Sequence, residues 1–334
     1  MSQDDKGRST RGLFGLGGKS AAPASRTGLQ PSGTKAPGVL DDIVLSLNLK
    51  ALAAAACAGQ GPSEPMPQLD VIGLSSRAVH FADVKSPWFA YWVRELRCAP
   101  RPHRKLWEFA VVLQALYESG VLTPGAKALG FGVGGEPLPS YLAGLGLQVV
   151  ATDLPGAAEG ETVFRHDFVA PDAFETRVEV SDLDMRRLDD ATLRGFDACW
   201  SCGVINEMVN MDEAFDTLIG AMDVLKPGGV AVHTLDFAFA DDLGHAARGD
   251  LVFPRRFLER LRDGLDGRGH AVAPLSLNLG AHPLDGYVDQ EPFEVDGSEA
   301  WSALWAESLG APHLKLQMGD SLRTSFVFIV TARG

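Results

Sequence analysis

Three of the six glycines between Ala128 and Asp153, with that aspartate, are spaced in a way that suits ligand chemistry: the stretch reads ALGFGVGGEPLPSYLAGLGLQVVATD. An apolar run, Ala128–Phe131, leads into Gly132, Gly134 and Gly135. A helical pattern follows, begun by Pro137, a residue favoured where a helix starts because its missing N–H would go unused there. Leu138, Tyr141, Leu142 and Leu145 then recur at three- and four-residue steps. A second apolar run ends in Asp153, 21 residues beyond Gly132. Glycine lets backbone approach a ligand closely and leaves N–H groups free at a helix start. An acid closing the next strand can accept both hydroxyls of a ribose.

Two ligand classes fit this spacing. A dinucleotide fingerprint, G-x-G-x-x-G, fails from Gly132, because its sixth position is Pro137, but is met from Gly130 to Gly135. That match leaves open a nicotinamide-dependent oxidoreductase. A nucleoside-type cofactor held by Gly132, Gly134 and Asp153 fits equally well.

The elements around this loop alternate. Ala128–Phe131, Leu147–Thr152, Arg177–Val180, Phe196–Ser201 and Val230–Leu235 read as buried strands, with helices at Pro137–Ala143, Asp212–Leu225 and Arg255–Leu265. Such alternation predicts a mostly parallel sheet covered on both faces. Leu314–Met318 and Thr324–Thr331, joined through Gly319-Asp320, predict a closing antiparallel hairpin. Upstream, Leu106, Phe109, Ala110, Leu113, Leu116 and Tyr117 mark a helix after His103, with Gly120 placed to end it. Val39 to Ala58 reads as another helix and residues 59–68, with three prolines, as a linker. The expected organisation is a basic tail over 1–38, a helical extension over 39–122 and an α/β domain over 123–334.

Composition excludes several functions. The 334 residues are 46% hydrophobic and 22% charged, within ordinary globular usage. No apolar run approaches the ~20 residues of a membrane span. Net charge is −13, and residues 1–38 carry six Lys/Arg against two Asp, so the rest is at −17. A nucleic-acid partner is not expected of such an acidic body. The tail has too little apolar content to offset its ordering entropy and is read as disordered. Four cysteines fit a reducing, cytoplasmic setting. Cys199 and Cys202 have C-x-x-C spacing but lie on a predicted strand without a second ligand pair, so packing is expected and no metal.

The later segments resemble the class I S-adenosylmethionine-dependent methyltransferases. Gly132-Val133-Gly134 is similar to their glycine motif and Asp153 to their ribose acid. Residues Ser181 to Arg186 (SDLDMR) resemble the adenine-side motif, Phe196 to Ser201 the fourth-strand signature, and Leu225-Lys226-Pro227-Gly228-Gly229 a turn common in the family. The resemblance covers about residues 126–236. HRKLWE, GFGVGGEPLP, KPGGVAVHT and HLKLQ also resemble a bacterial subgroup linked to glycan and lipopolysaccharide gene clusters. It implies a Rossmann-like, seven-stranded, mostly parallel sheet with a C-terminal antiparallel hairpin, and S-adenosylmethionine as cofactor. Gly132, Gly134, Asp153, Asp184 and Met185 are the implied cofactor residues, with Glu136 and Trp200 as further candidates, Trp200 as a wall for adenine or sulfonium.

Three departures stand out. Gly130 occupies a position where the family usually has an acid, and Glu136 one where a third glycine is common. Relatives often have Glu-His where this chain has Asn206-Glu207. A hydroxyl acceptor benefits from a base; Asn206, Glu207, His233 and Asp236 stand at the ends of the fourth and fifth sheet segments, with Glu207 and His233 the candidate catalytic groups. Between Gly280 and Asp289, His282 and Tyr287 are the acceptor candidates in a turn-rich segment. The acceptor expected is a small molecule or glycan, methylated at oxygen. A methyltransferase fold that only binds is the remaining alternative.

Overall fold

The computed structural model describes residues 69–98, 101–154, 168–190, 193–238, 250–290 and 312–334. The basic tail, the 39–58 helix and the 59–68 linker lie outside the described residues.

The chain enters on β1 (Ser76–Ala78) and the single turn α1 (Phe81–Val84). Helix α2 (Pro87–Glu95) starts where Ser86 Oγ accepts the Phe89 N–H and Pro87 fills the first position. Helix α3 (Arg104–Glu118) begins at His103, whose ring accepts the Lys105 N–H. It gives way at Gly120, which takes φ +72° and donates its N–H to the Tyr117 carbonyl.

The alternating part then runs β2 (Lys127–Phe131), α4 (Leu138–Gly144), β3 (Gln148–Asp153), α5 (Pro171–Arg177), β4 (Val178–Asp182) and β5 (Phe196–Cys202). Helix α6 (Met211–Gly220) is capped by Asn210, which accepts the Asp212 and Glu213 N–H groups, and acids in its first turn face the positive helix end. Strand β6 (Leu225–Ala238) absorbs the KPGG turn, with a register shift against β5 between Phe196 and Ala198. Helix α7 (Arg255–Asp266), the short strands β7 (Ala271–Val272), β8 (Leu275–Ser276) and β9 (Asp289–Gln290), and the hairpin β10 (Lys315–Met318) and β11 (Ser321–Thr331) complete the fold.

Strands follow the order β4-β3-β2-β5-β6-β11-β1-β8, with β7, β9 and β10 attached off this path. Strands β4, β3, β2, β5 and β6 are parallel, and β11 is antiparallel to β6. The mostly parallel sheet and closing hairpin agree with the sequence reading. The sheet counts eleven strands among the described residues, four more than the seven expected, because two- and three-residue segments too short to carry a period join its far edge. One of them, β1, comes from the extension read as helical: Ala78 pairs with Phe326, and Ser76 with Leu275. The extension is thus hydrogen-bonded into the sheet.

Strand alternation divides the core. Ala128, Ala198, Trp200, Val230 and Val232 pack with α2, α3 and α4 on one face. Leu129, Phe131, Cys199, Ala231, Leu235 and Phe237 pack with α6 and α7 on the other. Cys199 and Cys202 lie three residues apart on β5, so their thiols fall into opposite cores, which removes the C-x-x-C pair as a two-sulfur ligand.

Candidate active site

The sheet reverses direction of growth between β2 and β5, and open α/β sheets form a crevice beyond their strand ends at such a point. Here Gly132 follows β2 with φ +54°, and a Cβ at that position would meet the Val204 side chain at 2.6 Å. Gly134, at φ +42°, has no atom within 4 Å of where a Cβ would stand, so backbone lies open to the crevice. The loop is tied to β3: Val133 N–H donates to the Thr152 carbonyl (3.0 Å) and Thr152 Oγ1 to the Gly130 carbonyl (2.8 Å).

Asp153 closes β3 beside this loop. Its Oδ2 accepts the Gly134 N–H at 3.0 Å and its Oδ1 the Leu154 N–H at 2.8 Å. Together with Leu154, Leu183, Asp184, Met185, Arg186, Val204, Glu207 and Met208, the two glycines and Asp153 line one cavity of about 220 Å³. Three carboxylates, Asp153, Asp184 and Glu207, the Arg186 guanidinium and leucine, valine and methionine side chains share its lining.

Asp184 is held by its neighbour Arg186, whose Nε and Nη2 donate to the two carboxylate oxygens at 2.7 and 2.6 Å. These bonds keep the Asp184 carboxyl below the usual range. Met185 is buried in the core beneath. Glu207 is exposed at the rim; partial burial first, then the charges of Asp250 and Asp153, raise its carboxyl above the ordinary glutamate value.

Six sequence candidates therefore share one hollow: Gly132, Gly134, Asp153, Asp184, Met185 and Glu207. Five others lie elsewhere. Trp200 is wholly buried on the α3/α4 face, where its Nε1–H donates to Glu136 Oε2 at 2.9 Å. Glu136 is itself only 4% exposed, and burial pushes its carboxyl up to about 8. His233 faces the opposite core, bonded through Nδ1 to Ser201 Oγ at 2.8 Å, with burial lowering it to about 4. His282 caps the turn Pro283–Gly286 and stacks on Phe81 at 4.6 Å. Tyr287 is half-buried just after that turn, where Asp285 Oδ1 accepts the Phe81 N–H at 2.7 Å and so ties the segment to the extension.

The sequence marks Asp236 as a strand-end candidate but not the buried ionic group it belongs to, next to the crevice. Glu108 Oε2 accepts from Lys105 Nζ (2.8 Å) and Thr234 Oγ1 (2.9 Å), and its Oε1 from Ser325 Oγ. Asp236 takes Arg104 on one oxygen and Arg323 on the other. A signal was available: Glu108 interrupts an apolar run, and a buried carboxylate needs cations, which stand three and four residues before it. Arg323 carries no such signal, because the predicted strand starts at Thr324 and the residues before it read as a turn.

Among the described residues, no cluster of three or more His, Cys, Asp or Glu is arranged to hold a metal ion, and no helix is long and apolar enough to cross a membrane.

No protein-family model matches the chain, and no curated protein matches it. Solved structures do resemble it. The glycopeptide N-methyltransferase MtfA is similar at 14% identity and TM-score 0.41, over 70% of this chain and 96% of that one. Magnesium protoporphyrin IX methyltransferase (ChlM) from Synechocystis PCC 6803, with bound SAM, is similar at 11% identity and TM-score 0.39, over 87% and 97%. An O-methyltransferase family protein from Burkholderia thailandensis is similar at 13% identity and TM-score 0.37, over 74% of this chain and 62% of that one. Against two further structures the chain spans about half of their length.

Proposed function

We propose that this chain is an S-adenosylmethionine-dependent methyltransferase acting on a small-molecule or glycan-type acceptor at oxygen, in the cytoplasm. The observation that carries the reading is the shared cavity: two glycines after one strand and an aspartate ending the next face the same hollow.

The residues suit the cofactor. Each Asp153 oxygen accepts one backbone N–H and keeps lone-pair capacity for a ribose hydroxyl. Leu183, Met185 and Met208 offer an apolar slot for a base, with Asp184 at its edge. Gly132 and Gly134 allow close approach of backbone, and the open space over Gly134 is where a side chain would intrude. The cofactor supplies an activated methyl on sulfonium, so the protein's part is alignment and exclusion of water. Glu207, the rim carboxylate with a raised proton affinity, is the group placed to take a proton from an acceptor hydroxyl. His233 is too deep and too weakly basic for that task, and its partner is Ser201.

A nicotinamide enzyme draws its support from the Gly130-to-Gly135 spacing. Gly130, however, lies within β2 opposite Trp200, inside the sheet and not in the turn that would cradle a pyrophosphate. Melting temperature separates the readings, because only a ligand of the native state raises it. Stabilisation by S-adenosylhomocysteine and not by NAD(P) is expected; the reverse rejects the proposal. Mass spectrometry of metabolites after incubation with methyl-labelled cofactor then identifies the acceptor, and cofactor binding without any transfer would favour the binding-only alternative.

A further inference from the structure

Asp236, 2% exposed near the end of β6, organises the ionic group beside the cavity. Its Oδ1 accepts from Arg104 Nη1, its Oδ2 from Arg323 Nη1 at 3.1 Å, and its backbone N–H donates to Asn206 Oδ1 at 2.9 Å. Asn206 precedes the cavity-lining Glu207, so the cluster is continuous with the proposed active site. Strand β11 runs antiparallel to β6, with Arg323 opposite Ala238. Arg323 therefore stands at the same sheet edge as the glycine loop, where ligands of open α/β sheets bind.

Arg323 is the unfinished member of this group. It is 1% exposed, yet its Nε and Nη2 have no hydrogen-bond partner among the described residues. The positions matter. Nη1 is spent on Asp236, whereas Nε–H and Nη2–H form the parallel fork that matches two oxygens of a carboxylate or phosphate. Leaving such donors buried and unpaired is costly, so a fold that only needed to neutralise Asp236 would be served by one amine. The charges nearby leave room for an anion. Lys105 and Arg104 are matched by Glu108 and Asp236, while Arg323 has only a share of Asp236 and a distant Asp250, 4.0 Å from Nη1 and 45% exposed in its side chain.

We infer that the Nε/Nη2 edge of Arg323 is an oxyanion subsite for the acceptor, which therefore carries a carboxylate or a phosphate. Asp236 is its positioning residue. The inference rests on the methyl-transfer reading above and adds to it the acidic class of acceptor.

The test uses the full chain as wild type, Arg323→Lys and Arg323→Gln. Affinity for S-adenosylhomocysteine is measured by calorimetry, and inorganic phosphate or acetate is then titrated at constant ionic strength. Wild type is expected to bind at least one anion saturably: phosphate alone points to a phosphorylated acceptor, acetate alone to a carboxylated one. Arg323→Lys keeps a cation for Asp236 but has no fork. It should melt close to wild type, keep its S-adenosylhomocysteine affinity and bind the anion roughly tenfold more weakly or worse. Arg323→Gln should lose the anion altogether. Absence of saturable anion binding in wild type, or binding that Arg323→Lys leaves unchanged, overturns the subsite while leaving the cofactor reading intact. Arg323-dependent anion binding without any S-adenosylhomocysteine binding overturns the cofactor reading and the acceptor role with it.

Discussion

Gly130 and Trp200 are register partners on β2 and β5, and a Cβ on Gly130 would stand 2.4 Å from the Trp200 ring. The indole thus occupies the space a side chain at 130 would need, and its N–H is satisfied by Glu136. Two of the three departures seen in the sequence, a glycine at 130 and an acid at 136, are parts of one packing arrangement. Glu136 serves the tryptophan from the α3/α4 side and does not reach the cavity lining. Gly130→Ala should therefore destabilise the fold by about 1–3 kcal/mol, the usual range for overpacking a filled core. Urea unfolding with an unchanged midpoint would contradict this.

Glu136 makes stability depend on pH with a definite sign. Burial raises its folded value to about 8, so between the ordinary glutamate range and that point the native state holds a proton that the unfolded chain has released. Its contribution is fully present in acid below the unfolded value and is lost as pH rises towards 8. Glu136→Gln keeps an acceptor for the Trp200 N–H without the charge. The variant should gain on wild type as pH rises from about 4.5 to 8, by an amount on the order of 3–5 kcal/mol at most. Denaturant midpoints of both proteins across that window provide the measurement, and parallel curves would exclude a proton held by Glu136.

His233 acts in the opposite sense. Burial lowers it to about 4, so below its ordinary value the unfolded state takes up a proton that the native state refuses. Stability from this residue is present near neutrality and falls as pH drops from about 6.5 to 4. His233→Gln should remove that part of the acid sensitivity, which unfolding at pH 5 and pH 7 will reveal. The same variant should leave the pH profile of the proposed methyl transfer in place, because His233 faces the α6/α7 core.

Asp153→Ala should weaken S-adenosylhomocysteine binding by about 1.5–3 kcal/mol, roughly 10- to 150-fold. Part of that loss comes through the loop, since the Gly134 N–H loses its acceptor. An unchanged dissociation constant in calorimetry would remove Asp153 from the site.

Glu207→Gln separates binding from chemistry. Affinity for S-adenosylhomocysteine should hold within about twofold, while the proposed transfer at saturation should fall on the order of 10²-fold or more, the usual effect of losing a general base, the role proposed for Glu207. Equal loss of both would make Glu207 a binding residue.

What the sequence determined by itself is local. Alternating apolar runs, Pro137 at a helix start, Gly120 at a helix end and the 21-residue interval from Gly132 to Asp153 are read from periods and turn chemistry. Those features place the parallel strands, the closing hairpin and the glycine–aspartate pair without knowledge of any neighbour. The tertiary structure alone decided which face each side chain joins. Trp200 and His233, both drawn from strand ends near the site, turn into opposite cores because β-strands alternate and register sets which face receives each residue. It also decided the pairs that span the chain: Glu136 with Trp200, 64 residues apart, Arg323 with Asp236, 87 apart, and Arg104 with Asp236, 132 apart. Such pairs follow from strand order, and strand order is a property of the assembled sheet that no single segment encodes.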